Sequence, residues 1–301
     1  MRLPPPLIAE AARVRLVAPA GPFPRELLDA GIAQLREWGL EVSVGEHALD
    51  RHPTLPYLAG TDADRAADLH EAWCDPDVDA VLCLRGGYGC LRLLDRLDWD
   101  KLAAATPKIF AGSSDVTALH EAFAARLGVA TLFSPMIATK AFTTETTTRE
   151  GLRRCLFGPA PFPLTGGQAL SGGVARGMAV GGNLSLLVAM LGAGPPPPPG
   201  SVLLLEDVAE APYRVDRMLT QLRRAGWFDA VAGVALGSWT DCGDLGVLDA
   251  VLADRLGELG VPVVAGLTFG HCQAQASIPL GVPCELDADA GTLTPGTFTQ
   301  R

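Results

Sequence analysis

The 301-residue sequence has no C-x-x-C pair, no long unbroken apolar run and no excess of positive charge. Each absence excludes a class of protein. The seven cysteines (Cys74, Cys83, Cys90, Cys155, Cys242, Cys272 and Cys284) are odd in number and scattered, so they signal neither a disulfide framework nor a zinc site and fit a reducing compartment. Three prolines occupy the first ten residues, where an export signal needs an apolar stretch, and charges follow at Glu10, Arg13 and Arg15. From Gly177 to Leu205 the chain carries no charge, but glycines and the run Pro195 to Pro199 interrupt it, leaving an apolar piece too short to span a bilayer. With Lys+Arg 24 against Asp+Glu 34 the net charge is -10, which repels nucleic acid and anionic lipid. The expectation is a cytoplasmic protein with neither nucleic acid nor membrane as a partner.

What is present is ample core material: hydrophobic residues make up 48% and charged residues 19% of the chain, the profile of a packed globular protein. The first half alternates strand-like and helix-like segments. Val14 to Ala18, Leu40 to Val44, Ala80 to Leu84, Lys108 to Ala111 and Val129 to Phe133 read as strands. Pro24 to Trp38, with Leu27, Leu28, Ile32, Leu35 and Trp38 at helical spacing and Gly39 as a stop, and Asp62 to Trp73 read as helices. This βαβαβ rhythm predicts a parallel sheet covered by helices, with ligands bound at the carboxyl ends of its strands. The second half reads as mixed α+β with a curled sheet, with strands at Val202 to Leu205, Val231 to Leu236 and Val261 to Ala265, short pieces near Ile278 and Thr292, and helices at Tyr213 to Ala225 and Leu245 to Leu259. The Thr-rich 143–148 and the Pro/Gly-rich 158–173 segments read as a connection, giving units 1–142 and 174–301 joined by 143–173. No internal repeat is evident.

Two loops at predicted strand ends can carry chemistry. Gly112-Ser113-Ser114-Asp115 lies at a strand-to-helix junction that presents a hydroxyl beside helix N-terminal amides, a geometry suited to a serine nucleophile. The Asp115 amide would face a developing oxyanion, and Gly86 or Gly87 of the Arg85-Gly86-Gly87-Tyr88-Gly89 loop could supply a second donor. The plainer reading makes these polar residues a helix cap. The glycine loop has neither the Lys-Ser/Thr of a phosphate-binding loop nor a G-x-G-x-x-G spacing, so a nucleotide cofactor is not expected. Arg85 can pair with a substrate carboxylate.

A serine nucleophile needs a base. Among five histidines, His47, His52 and His70 read as surface residues, and His120 lies six positions after Ser114 on the same helix, facing away. His271 follows Gly270 at a turn beside a strand and is the best placed. A carboxylate must orient the imidazole, and Glu206, at the end of the apolar run Val202 to Leu205, emerges from a buried strand where it needs a partner. Asp207, on the opposite face of a continuing strand, and Glu210, in the next loop, are rivals; a structural ion pair of Glu206 with Arg214 or Arg217 is the non-catalytic alternative.

These pieces stand in order along the chain: Val17-Ala18-Pro19-Ala20-Gly21-Pro22, Arg85 to Gly89, Gly112 to His120, Gly181-Gly182-Asn183-Leu184, Leu205-Glu206-Asp207 with Pro212 to Leu219, and Phe269-Gly270-His271. Together they resemble the LD-carboxypeptidases, serine peptidases that act on murein peptides, from about residue 14 to 281. The resemblance implies an α/β fold with a flavodoxin-like N-terminal domain and a C-terminal domain with a β-barrel-like core, and frequently a homodimer. It implies Ser114 as nucleophile, Glu206 as orienting acid and His271 as base, with no metal or cofactor. The activity it implies is release of terminal D-alanine from a murein tetrapeptide by cleavage of an L,D bond. A self-immunity peptidase acting on peptide–nucleotide antibiotics, or a non-catalytic small-ligand-binding protein, would fit the same outline. The family commonly has an aromatic residue before the nucleophile, where this chain has Ser113.

Overall fold

The computed structural model describes residues 5–158 and 160–298. In the first half, β1 (Arg13–Val17), β2 (Glu41–Val44), β3 (Ala80–Cys83), β4 (Ile109–Gly112) and β5 (Thr131–Phe133) alternate with α1 (Arg25–Glu37), α2 (Asp62–Cys74), α3 (Cys90–Leu93), α4 (Trp99–Ala104) and α5 (Thr117–Arg126). Two further helices follow, α6 (Lys140–Thr144) and α7 (Thr146–Phe157). The second half contains β6 (Gln168–Ser171), β7 (Val174–Asn183), α8 (Leu184–Ala189), β8 (Val202–Val208), α9 (Pro212–Arg224), β9 (Gly233–Thr240), α10 (Leu245–Leu256) and β10 (Val263–Ala265). Three strands close it, β11 (Ile278–Leu280), β12 (Pro283–Asp287) and β13 (Thr292–Pro295).

The first sheet runs in the order β11-β5-β4-β3-β1-β2 and is parallel except for β11, which returns from the second half to pair antiparallel with β5. Its central strands β3, β4 and β5 are buried on both faces because both are covered. Leu16 and Leu82 pack with Leu28 and Leu35 of α1 on one side, while Val17, Val81 and Phe110 pack with Leu69, Trp73 and Phe123 on the other. This is why the sequence shows short continuous apolar runs rather than alternation.

The second sheet runs β13-β12-β7-β8-β9-β10-β6, with β7 through β10 parallel and antiparallel strands at both ends. One face packs against α9 and α10 through Leu203, Leu205, Val215, Leu219 and Leu252. The other face meets the first half through Val202, Leu204, Phe133, Phe269 and Ile278, with the Phe133 and Phe269 rings edge-on at 6.0 Å.

The segment read as a connection is not irregular throughout. Residues 146–157 form a helix because Thr148, Gly151, Leu152, Cys155 and Leu156 share one buried face. Thr148 Oγ1 accepts the Gln275 N–H at 2.9 Å and donates to the Gln273 carbonyl at 3.2 Å, tying that helix to the loop before β11. The ten-residue β7 was hidden by its glycines. At Gly181, with φ 100°, an added Cβ would lie 2.4 Å from the Leu204 carbonyl oxygen, so close strand approach requires glycine there. Among the described residues no helix is long and apolar enough to cross a membrane.

Candidate active site

Ser114 follows β4 and opens a single 3₁₀ turn, Ser114–Val116, that leads into α5. Its φ is +61°, a left-handed conformation that an L residue adopts at a cost and that commonly marks functional turns. The neighbouring strand end supplies the space. A Cβ on Gly86 would fall 2.9 Å from Ser114 Cβ and 3.1 Å from its Oγ, so only glycine lets the two loops meet. The turn is fixed from beneath by Asp115, whose buried carboxylate accepts the Cys90 N–H at 2.7 Å. Burial pushes the Asp115 pKa up, and the Cys90 hydrogen bond opposes that rise.

His271 and Glu206 come from the second half. Parallel pairing of β7 with β8 sets Asn183 beside Glu206, and the register of β8 against β9 shifts there, between Leu205 and Asp207. Glu206 is fully buried and accepts from His271 twice, from the ring Nδ1 at 2.7 Å and from the backbone N–H at 3.2 Å. With Nδ1–H committed to a carboxylate, the neutral ring presents the lone pair of Nε2. That nitrogen lies 3.1 Å from Ser114 Oγ. Burial lowers the His271 pKa, but the Glu206 hydrogen bond and the charges of Glu206 and Asp207 outweigh it. The net shift is upward, with Arg85 pulling the other way.

The rival carboxylates are engaged elsewhere. Asp207 turns to the start of α8, accepting the Ser185 N–H at 2.9 Å and its hydroxyl at 2.7 Å. Glu210 pairs with Arg214, the arginine considered as a structural partner for Glu206. Asn183 is the residue whose part the sequence did not announce. Its Oδ1 accepts the Leu186 N–H at 3.2 Å and caps α8, while its Nδ2 donates to Glu206 at 3.3 Å and Asp207 at 3.0 Å. A polar residue directly before the apolar run Leu184 to Ala189 was the available signal, but it spoke only for the cap.

The pair opens into a cavity of about 650 Å³ lined by Arg85, Gly87, Ser114, Lys140, His271 and Cys272, among others. Arg85 and Gly87, both among its lining residues, are exposed. Tyr88 packs edge-on against Tyr57 with ring centroids 5.7 Å apart. The other histidines lie elsewhere. His120 is buried with Nε2 2.9 Å from the Gly112 carbonyl, and His52 accepts the Thr54 and Leu55 N–H groups at 3.2 and 3.0 Å. His47, Asp50 and Asp64 place three ligand-type atoms within 4.8 Å of one another, but the His47 ring is hydrogen-bonded to Asp50 at 3.0 Å and none of the three lines the catalytic cavity.

Comparison with known proteins shows what the chain is similar to. Residues 14–134 match the LD-carboxypeptidase N-terminal domain and residues 176–286 the LD-carboxypeptidase C-terminal domain. A Streptomyces coelicolor protein with a provisional carboxypeptidase designation is 56% identical over 96% of this chain and 95% of its own. The murein tetrapeptide carboxypeptidase of Pseudomonas aeruginosa is 35% identical over 92% of this chain and 94% of its own. The crystal structure of muramoyltetrapeptide carboxypeptidase from Oxalobacter formigenes superimposes with a TM-score of 0.84 at 31% identity, covering 96% of this chain and 100% of that one. An MccF-like protein of Bacillus anthracis shares the fold, with a TM-score of 0.89 at 24% identity over 97% of this chain and 99% of that one. With both family domains matched in order and relatives alike along nearly their whole lengths, this chain belongs to the LD-carboxypeptidase family.

Proposed function

We propose that this protein is a serine LD-carboxypeptidase that removes terminal D-alanine from murein tetrapeptides, with Ser114 as nucleophile, His271 as general base and Glu206 as the acid that orients it. The observation that carries the reading is the continuous relay of 2.7 Å from Glu206 to His271 Nδ1 and 3.1 Å from Nε2 to Ser114 Oγ. A serine that merely caps a helix has no need of a buried carboxylate–imidazole pair delivered from the other half of the molecule.

In the reaction, His271 Nε2 takes the Ser114 proton as Oγ attacks the carbonyl of the L-centre residue. The imidazolium is stabilised by Glu206. The Asp115 and Gly87 amides are the donors for the oxyanion, and Arg85 receives the terminal carboxylate of the substrate. When the tetrahedral adduct collapses, Nε2 returns the proton to the departing amine of D-alanine. Water then attacks the acyl-enzyme by the same path, with Nε2 taking its proton and passing it to Ser114 Oγ as the ester C–O bond breaks, and the tripeptide leaves with a new carboxylate. The division into a nucleophile-bearing unit, 1–142, and a Glu/His-bearing unit, 174–301, as well as cytoplasmic location and a homodimeric assembly, belong to the same proposal.

The test is release of D-alanine from a purified murein tetrapeptide. The wild-type protein is expected to release it and Ser114→Ala to abolish release; no release by the wild type, or equal release by Ser114→Ala, overturns the reading. Sedimentation analysis checks the dimer independently.

A further inference from the structure

Strand order in the first sheet sets three residues side by side. Arg85 follows β3, Ser114 follows β4 and Lys140 follows β5 after a short turn, and β3, β4 and β5 are adjacent parallel strands. All three residues line the same cavity. The strand that leads to the nucleophile therefore lies between the two strands that lead to the cations, along the carboxyl edge of the sheet.

This placement has a chemical consequence. No Asp or Glu is among the residues lining that cavity, although the chain carries a net charge of -10. Among the described residues neither Arg85 nor Lys140 has a carboxylate within ion-pair distance, whereas Arg92 and Arg214 are held by Asp62 and Glu210. Two charged donors without internal acceptors on opposite sides of a nucleophile suit a substrate with two anionic groups flanking the scissile carbonyl. With Arg85 proposed for the terminal carboxylate of the departing D-alanine, its side of the nucleophile is the leaving-group side. Lys140 is left for the acyl side.

Resting on the proposed hydrolase reading, we infer that Lys140 is a specificity-determining residue that recognises a free carboxylate on the acyl side of the scissile bond. Two groups of a murein peptide supply that chemistry. One is a side-chain carboxylate on the residue whose carbonyl is attacked, present in a diaminopimelate-type peptide and absent from a lysine-type one. The other is the free α-carboxylate of the preceding γ-linked glutamate. A lysine-type side chain ending in an ammonium gains nothing from a second cation at this position.

Three tetrapeptides separate these sources: the diaminopimelate type, the lysine type, and the lysine type with its glutamate α-carboxylate amidated. Each is assayed for kcat and KM with wild-type enzyme, Lys140→Met, Lys140→Glu and Lys140→Arg. A charge-assisted hydrogen bond corresponds to about tenfold in kcat/KM, so Lys140→Met is expected to lose about that factor, mainly through KM, on peptides carrying the recognised carboxylate. Lys140→Glu loses more and Lys140→Arg restores most of it. Loss confined to the diaminopimelate peptide assigns the side-chain carboxylate, and loss on both peptides with a free glutamate assigns the α-carboxylate; either supports the inference. A uniform loss that includes the amidated peptide places Lys140 on the shared terminal carboxylate, and no loss on any peptide leaves it without a substrate contact; both overturn the inference while leaving the hydrolase reading intact. Failure of the wild type on all three overturns the hydrolase reading and the inference with it.

Discussion

Gly270 packs directly against Glu206: a Cβ at position 270 would lie 2.5 Å from Oε2, 2.6 Å from Cγ and 2.8 Å from Cβ of the glutamate. The glycine also has φ +90°, where L side chains are strained. The bend that carries His271 onto Ser114 is thus possible only because nothing stands between the backbone and the buried acid. Gly270→Ala is expected to fold, to displace the carboxylate and imidazole together, and to lower kcat about a hundredfold, since misplacement of a catalytic group by about 1 Å costs that much. Steady-state kinetics beside a circular dichroism spectrum check it; near-normal kcat would show that the loop tolerates the clash.

The left-handed conformation of Ser114 separates stability from activity. Relief of such strain is worth about 1 kcal/mol, and glycine alone obtains it. Ser114→Gly is expected to melt about 2 °C above wild type while releasing no D-alanine. Ser114→Ala loses activity equally but keeps the strain at φ +61° and gains no stability. Calorimetry on the three proteins reads the difference.

As the proposed base, His271 is expected to set the acid limb of the pH profile. Its pKa is raised above the usual 6.5, so kcat/KM is expected to climb with pH through a value above 6.5 as Nε2 becomes free to accept a proton. Glu206→Gln removes the upward influences of that carboxylate and moves the His271 titration to lower pH; Arg85→Met removes a downward influence and moves it higher. Imidazole proton resonances of the free enzyme report both. Because the folded pKa is the higher one, the stability contributed by protonated His271 is complete below its unfolded value and disappears as pH rises through the folded value.

Asn183 serves two buried carboxylates and a helix end with one side chain. Asn183→Ala is expected to destabilise the protein by about 2 kcal/mol, from a lost cap and lost donors. Asn183→Asp retains an equally good cap but replaces the donor with a third negative group beside Glu206 and Asp207, so it is expected to be the more damaging of the two. Urea denaturation ranks them; the reverse order would make the cap the dominant contribution.

Much of this site can be read from the chain because the elements that deliver it are local. Ser114 stands at a strand-to-helix junction and Glu206 at the end of a wholly apolar run, patterns visible over a few residues. The 146–157 helix and the strand from Val174 were harder to see. Threonines near the start of the helix and glycines within the strand lower their local propensity, and each forms because tertiary packing buries one face or demands a close backbone approach. Asn183 stands in the Gly181-Gly182-Asn183-Leu184 stretch, but its part as a donor was not legible, since its carboxylate partners lie on a neighbouring strand.

The alternating α/β layout of the first half, the candidate nucleophile and base, and the short set of acids from which one had to be drawn are legible in the amino-acid order, because they follow from nearest-neighbour patterning and side-chain chemistry. That Glu206 rather than Asp207 or Glu210 meets His271, and that Arg85 and Lys140 share a cavity with Ser114, came from the folded chain alone. Those relationships depend on strand order, register and the irregularity within β8, which arise when distant segments pair.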